Sequence, residues 1–302
     1  MLIGNQTAQD LLKKIAQKLQ KTPFANFFLI EGPTGVGKTT FVKSLVIEPL
    51  QKHGLVHEAD ILFLQDLSKL TWKFNPIKVD EEDIVDINGL NFYSLWTRQI
   101  AQRAYLKPSL KYKILLIQNM ERMTLSAANA FLKLLEEPPS YLLIFSTTGS
   151  RSKLLDTIVS RAFLIKMQLV DQDEIKDFLR SKDVKWTEDQ IELISELSQG
   201  SIAKALKILN EDTKELIGVV KKLKELLKLE WFYKEKIQLL EEFFKIFWVE
   251  WGLEILASML AEIGNFSGVK NLIKIKGRNN YWLDPTNINF LLYLVLSFEK
   301  RW

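Results

Sequence analysis

Cysteine is absent from this 302-residue chain, and histidine occurs only twice, as His53 and His57. Without thiols the chain can form neither disulfides nor thiolate metal sites, and two imidazoles are a poor basis for a zinc centre. We therefore expect no zinc. A large charge of one sign is also lacking, since the formal net charge is only +4, which favours no particular class of partner.

Long hydrophobic runs are missing as well. The longest candidate, 287–298, is shorter than the roughly 20 residues that cross a bilayer. The first residues show no basic region followed by an apolar one, so no secretory leader is predicted. Hydrophobic residues make up 47% of the chain and charged residues 26%, which is ordinary for a globular protein. We expect a cytoplasmic protein with no membrane partner.

Two kinds of pattern divide the sequence. In residues 1–168, short apolar runs at 27–30, 60–65, 113–117, 141–147 and 163–167 alternate with helical patterns, which predicts a parallel α/β sheet. Beyond about residue 170 the periodicity is helical throughout. We predict an α/β domain at 1–168, a small helical lid at 169–210, and an all-helical C-terminal domain at 211–302. Thr187 and Gln190 have the spacing of a capping box at a helix start.

The most informative motif is a phosphate-binding P-loop that follows the apolar run 27–30 and precedes a helical run at 40–47. Its sequence G-x-x-x-x-G-K-[ST] lets backbone N–H groups approach phosphate oxygens. Lys38 should reach the β- and γ-phosphates, and the Thr39 hydroxyl should reach Mg²⁺. The motif predicts ATP binding by Gly32, Pro33, Thr34, Gly35, Val36, Gly37, Lys38, Thr39 and Thr40.

The motif that should complete an ATPase site is broken. The strand at 113–117 is followed by Gln118 and Asn119, where a working ATPase carries Asp and Glu. Amides cannot act as general bases and, being uncharged, are weaker ligands for a hard cation. Glu121 could substitute for the missing carboxylates, but a surface carboxylate at the start of a loop is the interpretation we favour. The sequence predicts that nucleotide binding is kept and hydrolysis is lost.

A second signature makes the resemblance specific. The run Ala128-Asn129-Ala130-Phe131-Leu132-Lys133-Leu134-Leu135-Glu136-Glu137-Pro138-Pro139 resembles the A-N-A-L-L-K-x-L-E-E-P-P signature of clamp-loader ATPases. Thr157-Ile158-Val159-Ser160-Arg161 resembles their T-I-x-S-R-C motif, with Ala162 in place of the cysteine. The chain is similar to the delta-prime branch of the AAA+ clamp-loader family of bacterial DNA polymerase III. The resemblance is strong over residues 2–168 and only architectural beyond 210.

The resemblance implies a RecA-like AAA+ fold and roles for four positions. Thr147, with Thr148 as the neighbouring option, corresponds to the sensor of the γ-phosphate. Arg161 corresponds to an arginine finger given in trans to the ATP of the next subunit. Ala203 stands where a motor subunit has its second-sensor arginine, and the family's four-cysteine zinc module is missing.

The implied function is that of a non-motor, stator-like subunit in a five-subunit ring that loads a sliding clamp onto primed DNA. Its partners would be motor AAA+ and delta-type subunits, the clamp and, indirectly, DNA. Residues 211–302 would form the oligomerisation collar. Three alternatives stay open: a motor clamp-loader ATPase, a free-standing P-loop NTPase or nucleotide kinase, and a helicase-loader-type ATPase. The missing acidic pair disfavours the first, and the E-E-P-P pattern disfavours the others.

Overall fold

The fold was analysed in a computed structural model, which describes residues 2–21, 26–64, 102–123, 125–182, 186–210, 213–227, 255–257 and 259. Its five strands are β1 (Phe27–Glu31), β2 (Ile61–Leu64), β3 (Lys113–Ile117), β4 (Leu142–Thr148) and β5 (Phe163–Lys166). All pair in parallel, in the order β2-β3-β4-β1-β5. The predicted parallel α/β sheet is confirmed, and the predicted strand bounds are correct to within one residue.

The described residues include nine α-helices. They are α1 (Gln6–Lys21), α2 (Lys38–Val42), α3 (Glu48–Lys52), α4 (Leu125–Glu136), α5 (Asp156–Val159), α6 (Gln172–Arg180), α7 (Glu188–Ser198), α8 (Ile202–Asn210) and α9 (Thr213–Leu227). One-turn 3₁₀ helices lie at Glu58–Asp60, Met120–Arg122 and Arg151–Lys153. None of the helices in the described part of the chain is long and apolar enough to span a membrane.

One predicted boundary is wrong. The helical run predicted at 40–47 does not stop before Glu48, because a π-helical turn at Lys43–Ile47 leads directly into α3, which runs to Lys52. Proline is tolerated there because it lies in the first turn of α3, where its missing N–H costs no helical hydrogen bond. The wider π turn changes the hydrogen-bond register just before it.

The core has two layers because successive strand residues point to opposite faces of the sheet. On one face, Phe28, Ile30 and Phe145 pack with α1 and the helices after the P-loop. The rings of Phe28 and Phe145 are stacked 4.8 Å apart. On the other face, Leu29 and Ile144 pack with α4 and α5. Covered on both sides, the sheet leaves the carboxyl ends of its strands as the place for a ligand.

The chain forms two compact units: Met1–Val184 with Ser198–Lys204, and Lys185–Leu197 with Ala205–Trp302. In the second unit the predicted capping box is confirmed, since the Thr187 amide donates to Gln190 Oε1 at 2.9 Å and the Gln190 amide to Thr187 Oγ1 at 3.3 Å. The boundaries at 168 and 210 stay predictions. Most of the predicted domain at 211–302 lies outside the described residues.

Candidate functional site

The P-loop joins β1 to α2, and its structure requires glycine at three positions. Gly35 has φ of 84° and Gly37 of 90°, in the left-handed region that side chains disfavour. A Cβ atom on Gly32 would lie 2.5 Å from the carbonyl oxygen of Met167, so this position admits only glycine. Gly32 is therefore required by lack of space, whereas Gly35 and Gly37 are required by their backbone conformation.

Lys38 closes the loop on itself. Its side chain is 8% exposed, and Nζ donates to the carbonyl oxygens of Gly32 at 2.6 Å and Pro33 at 2.8 Å. Burial lowers the pKa of Lys38 from its usual 10.5, and the negative charge of Glu121 raises that pKa in part. A buried ammonium held by two neutral carbonyls is a strong binding partner for an anion, because a phosphate would supply the missing countercharge.

The broken second motif lies directly beside the P-loop. Gln118, one residue after β3, donates from Nε2 to the Thr39 hydroxyl at 2.7 Å. This hydroxyl is the group that the sequence assigns to Mg²⁺, so an uncharged amide stands where a working ATPase has its acid. Among the described residues, no group of three histidine, aspartate or glutamate side chains could hold a metal ion by itself. Any Mg²⁺ here would depend on the phosphates of a nucleotide.

Asn119 connects this motif to the strand at its side. It has a left-handed backbone, with φ of 51°, and its amide donates to Thr147 Oγ1 at 3.1 Å. Thr147 is 2% exposed at the end of β4. Thr148 instead donates to the carbonyl of Ser150 and accepts from its amide, within its own turn. Of the two predicted sensor positions, only Thr147 contacts the second motif.

Glu121 does not behave as the surface carboxylate that we favoured. It lies in the 3₁₀ turn Met120–Arg122, and its Oε1 accepts from the Gly149 amide at 2.9 Å. Its Oε2 is buried and has no hydrogen-bond partner among the described residues. The electrostatic effect of Glu121 on Lys38 places this carboxylate in the electrostatic neighbourhood of the P-loop. Sequence spacing could not show this, because the turn that directs the side chain inward comes from the left-handed Asn119.

The tip of the P-loop is covered by residues far away in sequence. The Ala203 amide donates to the Gly35 carbonyl oxygen at 3.0 Å. A Cβ atom on Gly35 would lie 2.1 Å from Ser201 Oγ, and Ser201 is itself buried. Ala203, the position where the motor subunit has its arginine, therefore does reach the P-loop, but only with its backbone and a methyl group.

Arg161 lies on a different part of the same unit. Its side chain follows α5, is 35% exposed, and donates to the Thr157 carbonyl at 2.7 Å. It also forms an ion pair with Glu136 Oε1 at 3.0 Å. Glu136 is the first acid of the E-E-P-P signature and is 52% exposed. The two signatures that carried the family resemblance thus meet in one surface ion pair.

The sequence of this chain is similar to those of DNA polymerase III subunits. Residues 93–171 match the family described as DNA polymerase III, delta subunit. The chain is 27% identical over 209 residues to the gamma/tau subunit of DNA polymerase III from Mycoplasma genitalium, which covers 67% of this chain and 34% of that protein. It is 25% identical to the gamma subunit from Buchnera aphidicola, covering 89% of this chain and 80% of the relative. The chain spans about a third of the Mycoplasma protein.

The fold is shared with a solved structure. A gamma-subunit-related protein of DNA polymerase III from Thermotoga maritima superposes with a TM-score of 0.55 at 19% identity, over 96% of this chain and 98% of that one. Together with the sheet order, this shows that the chain shares the parallel α/β fold of that gamma-subunit-related protein, as the resemblance implied. The sequence similarities are thus to gamma-type and gamma/tau-type subunits of DNA polymerase III, with the delta-subunit family matched over 93–171.

Proposed function

We propose that this chain is a non-motor, delta-prime-type subunit of a DNA polymerase III clamp loader. The observation that carries the proposal is the hydrogen bond from Gln118 Nε2 to the Thr39 hydroxyl at 2.7 Å. It leaves the phosphate-binding part of an ATPase beside an amide that cannot take a proton from water. We infer that the chain binds ATP through residues 32–40 and does not hydrolyse it.

The same proposal gives the chain two roles in a ring. Arg161 would leave Glu136 and present its planar, permanently charged guanidinium to the γ-phosphate of ATP in a neighbouring subunit. The chain would otherwise act as a stator while motor AAA+ and delta-type subunits open the sliding clamp and load it onto primed DNA. Thr147 is proposed as the sensor of the nucleotide's γ-phosphate in this chain.

The test separates binding from hydrolysis in the isolated protein. We expect a fluorescent ATP analogue to bind and to be displaced by ATP, with no steady phosphate release in a parallel assay. Steady hydrolysis that Lys38→Ala abolishes would contradict the non-motor assignment. That outcome would instead support a motor subunit, the second candidate, which is favoured by the gamma and gamma/tau relatives.

Residues 211–302 are proposed as the collar that joins the chain to its partners. The notion rests on their helical sequence pattern, of which α9 lies within the described residues. Size-exclusion chromatography of the full chain with a motor-type AAA+ subunit should give a complex. A chain ending at Asn210 should lose it, and equally tight assembly without the last 92 residues would contradict the collar.

A further inference from the structure

Glu121 is a carboxylate beside the second motif to which the contacts described above give no role. Its Oε1 accepts from the Gly149 amide at 2.9 Å in an exposed hydrogen bond, whereas Oε2 is buried and has no partner in the described part of the chain. A buried acceptor with no partner costs about 1–3 kcal/mol, and more when it is charged. Such a cost at a ligand site indicates that a ligand completes it.

The chemistry of that ligand follows from the neighbours. Gln118 Nε2 donates to Thr39, so the hydroxyl that would face a metal is held by an uncharged group. Mg²⁺ bound with nucleotide in proteins is held by one or two carboxylates together with phosphate oxygens and water. Gln118 and Asn119 cannot supply a carboxylate. Glu121 can, because its Oε2 is buried and free while its Oε1 accepts from the Gly149 amide. Gly149 directly follows Thr148, whose carbonyl oxygen accepts from the amide of Gly32 in the P-loop at 3.1 Å.

The local backbone holds Glu121 ready for this role. Asn119 in its left-handed conformation starts the turn Met120–Arg122, and the Asn119 amide is fixed by Thr147. Gly149 follows β4 with no side chain, and a Cβ atom there would lie 3.1 Å from Glu121 Oε1. The carboxylate is therefore held between the ends of β3 and β4, the strands that carry the second motif and the sensor.

We propose that Glu121 replaces the missing acid of the second motif, so that its free oxygen takes the Mg²⁺ of a bound magnesium nucleotide, directly or through a metal-bound water. The proposal deepens the nucleotide-binding part of the proposed function and rests on it. It makes Glu121 a specificity residue for Mg²⁺–ATP over metal-free ATP. It requires no hydrolysis, because one carboxylate held at the Gly149 amide binds a cation without having to activate water.

A rival account uses the same contacts differently. Glu121 could serve only as a countercharge for Lys38, since its charge already raises the pKa of that lysine. In that case the carboxylate would compete with phosphate for Lys38, and removing its charge would tighten ATP binding with or without metal. The two accounts therefore predict opposite effects of one substitution.

The experiment titrates a fluorescent ATP analogue into the full-length protein, with Mg²⁺ and with excess chelator. We expect Mg²⁺ to strengthen binding by about tenfold or more in the unaltered protein, the worth of a charged contact. Glu121→Gln keeps an acceptor for the Gly149 amide but loses the charge, and should reduce the Mg²⁺ effect to within about twofold. Thermal unfolding of each variant, without nucleotide, confirms that it folds.

Glu31→Gln is the matched control. Glu31 also accepts a backbone N–H near the P-loop, from Arg151 at 3.0 Å, and is only 19% exposed. Unlike Glu121, it has its second oxygen in an ion pair, with Arg151 Nε. The Mg²⁺ effect should survive in Glu31→Gln. It should also return in the double variant Glu121→Gln with Gln118→Asp, which moves the carboxylate back to the second motif.

Three outcomes overturn the proposal. Tighter ATP binding by Glu121→Gln in chelator supports the countercharge account instead. Equal binding by the unaltered protein with and without Mg²⁺ would contradict a metal site at Glu121. It would not contradict the proposed nucleotide binding or the stator role. Absence of any nucleotide binding overturns both this inference and the nucleotide part of the proposed function, and assembly with a motor subunit then tests the stator role separately.

Discussion

The P-loop pocket and the Arg161 edge belong to one compact unit but differ in how their cations are held. Lys38 is 8% exposed and donates to two carbonyl oxygens of its own loop. Arg161 is 35% exposed and is held by a surface ion pair with Glu136. Exposed ion pairs contribute about 0–1 kcal/mol, whereas a buried ammonium interacts strongly with whatever anion replaces its partners.

The difference is consistent with the two ligands proposed for these cations. Lys38 is buried and bonded to the carbonyl oxygens of Gly32 and Pro33, which suits a ligand held by its own loop. Arg161 lies at the surface, where it can exchange a weak intramolecular partner for a group on another molecule. A buried lysine suits the proposed binding of this chain's own nucleotide. A partly exposed arginine suits the proposed contact with the nucleotide of a neighbouring subunit.

Of the variants considered, Arg161→Ala is expected to have the largest effect on hydrolysis by the complex. We expect folding and this chain's own nucleotide binding to be unchanged, and DNA-stimulated ATP hydrolysis by the reconstituted clamp loader to fall. Arginine fingers contribute about 10³- to 10⁵-fold in related phosphoryl transfers, and a ring with several sites should lose less, since one site uses this residue. Phosphate release by the assembled complex is the measurement.

Arg161→Lys provides the control for charge alone. A lysine ammonium is a point charge without the planar fork, so it should not restore hydrolysis. Unchanged hydrolysis and clamp loading by the Arg161→Ala complex would contradict the arginine-finger role and leave Arg161 as a surface residue.

Lys38→Ala tests the other half of the comparison. Loss of a charged contact to phosphate should weaken binding of ATP by about 10- to 100-fold. Hydrolysis by the assembled complex should change far less than with Arg161→Ala, since the proposed function assigns no turnover to this chain's own site. Equilibrium titration with a fluorescent ATP analogue measures the loss. Lys52→Ala, at the exposed end of α3, is the control and should bind normally.

Glu136→Gln tests how much the ion pair with Glu136 restrains Arg161. The substitution removes a surface ion pair while Arg161 keeps its bond to the Thr157 carbonyl. Freed from Glu136, the guanidinium should be easier to transfer to a neighbouring phosphate. We therefore expect hydrolysis by the complex to rise, by no more than about fivefold, which is what an exposed ion pair contributes. A loss as large as that of Arg161→Ala would mean that Glu136 itself contacts the neighbour's nucleotide.

The sequence predicted the sheet and the P-loop better than it predicted what surrounds them. Strands such as β3 were predicted to the residue because a buried parallel strand is a short, continuous apolar run. Glu121 was misjudged because its direction depends on the left-handed Asn119, which no periodicity reports. The contact of Ala203 with Gly35 joins residues 168 positions apart, and one sequence carries no record of such pairing. Neighbouring side chains, rather than elements, were the unpredictable part.

The smallest expected effect is a dependence on pH that Lys38 has and Arg161 lacks. Burial lowers the pKa of Lys38 in the folded state, so between that pKa and 10.5 the unfolded chain binds more protons. The free energy of unfolding should therefore rise with pH through this window, relative to Lys38→Met, which has no proton to lose.

The pKa of Lys113 is also lowered by burial, but Lys113 is common to both proteins and cancels in the difference. Arg161→Ala should give a difference that is flat with pH, because a guanidinium stays charged throughout. Thermal unfolding in small steps from about pH 8 to pH 10.5 measures both, and a flat difference for Lys38→Met would contradict the buried-ammonium account of the P-loop.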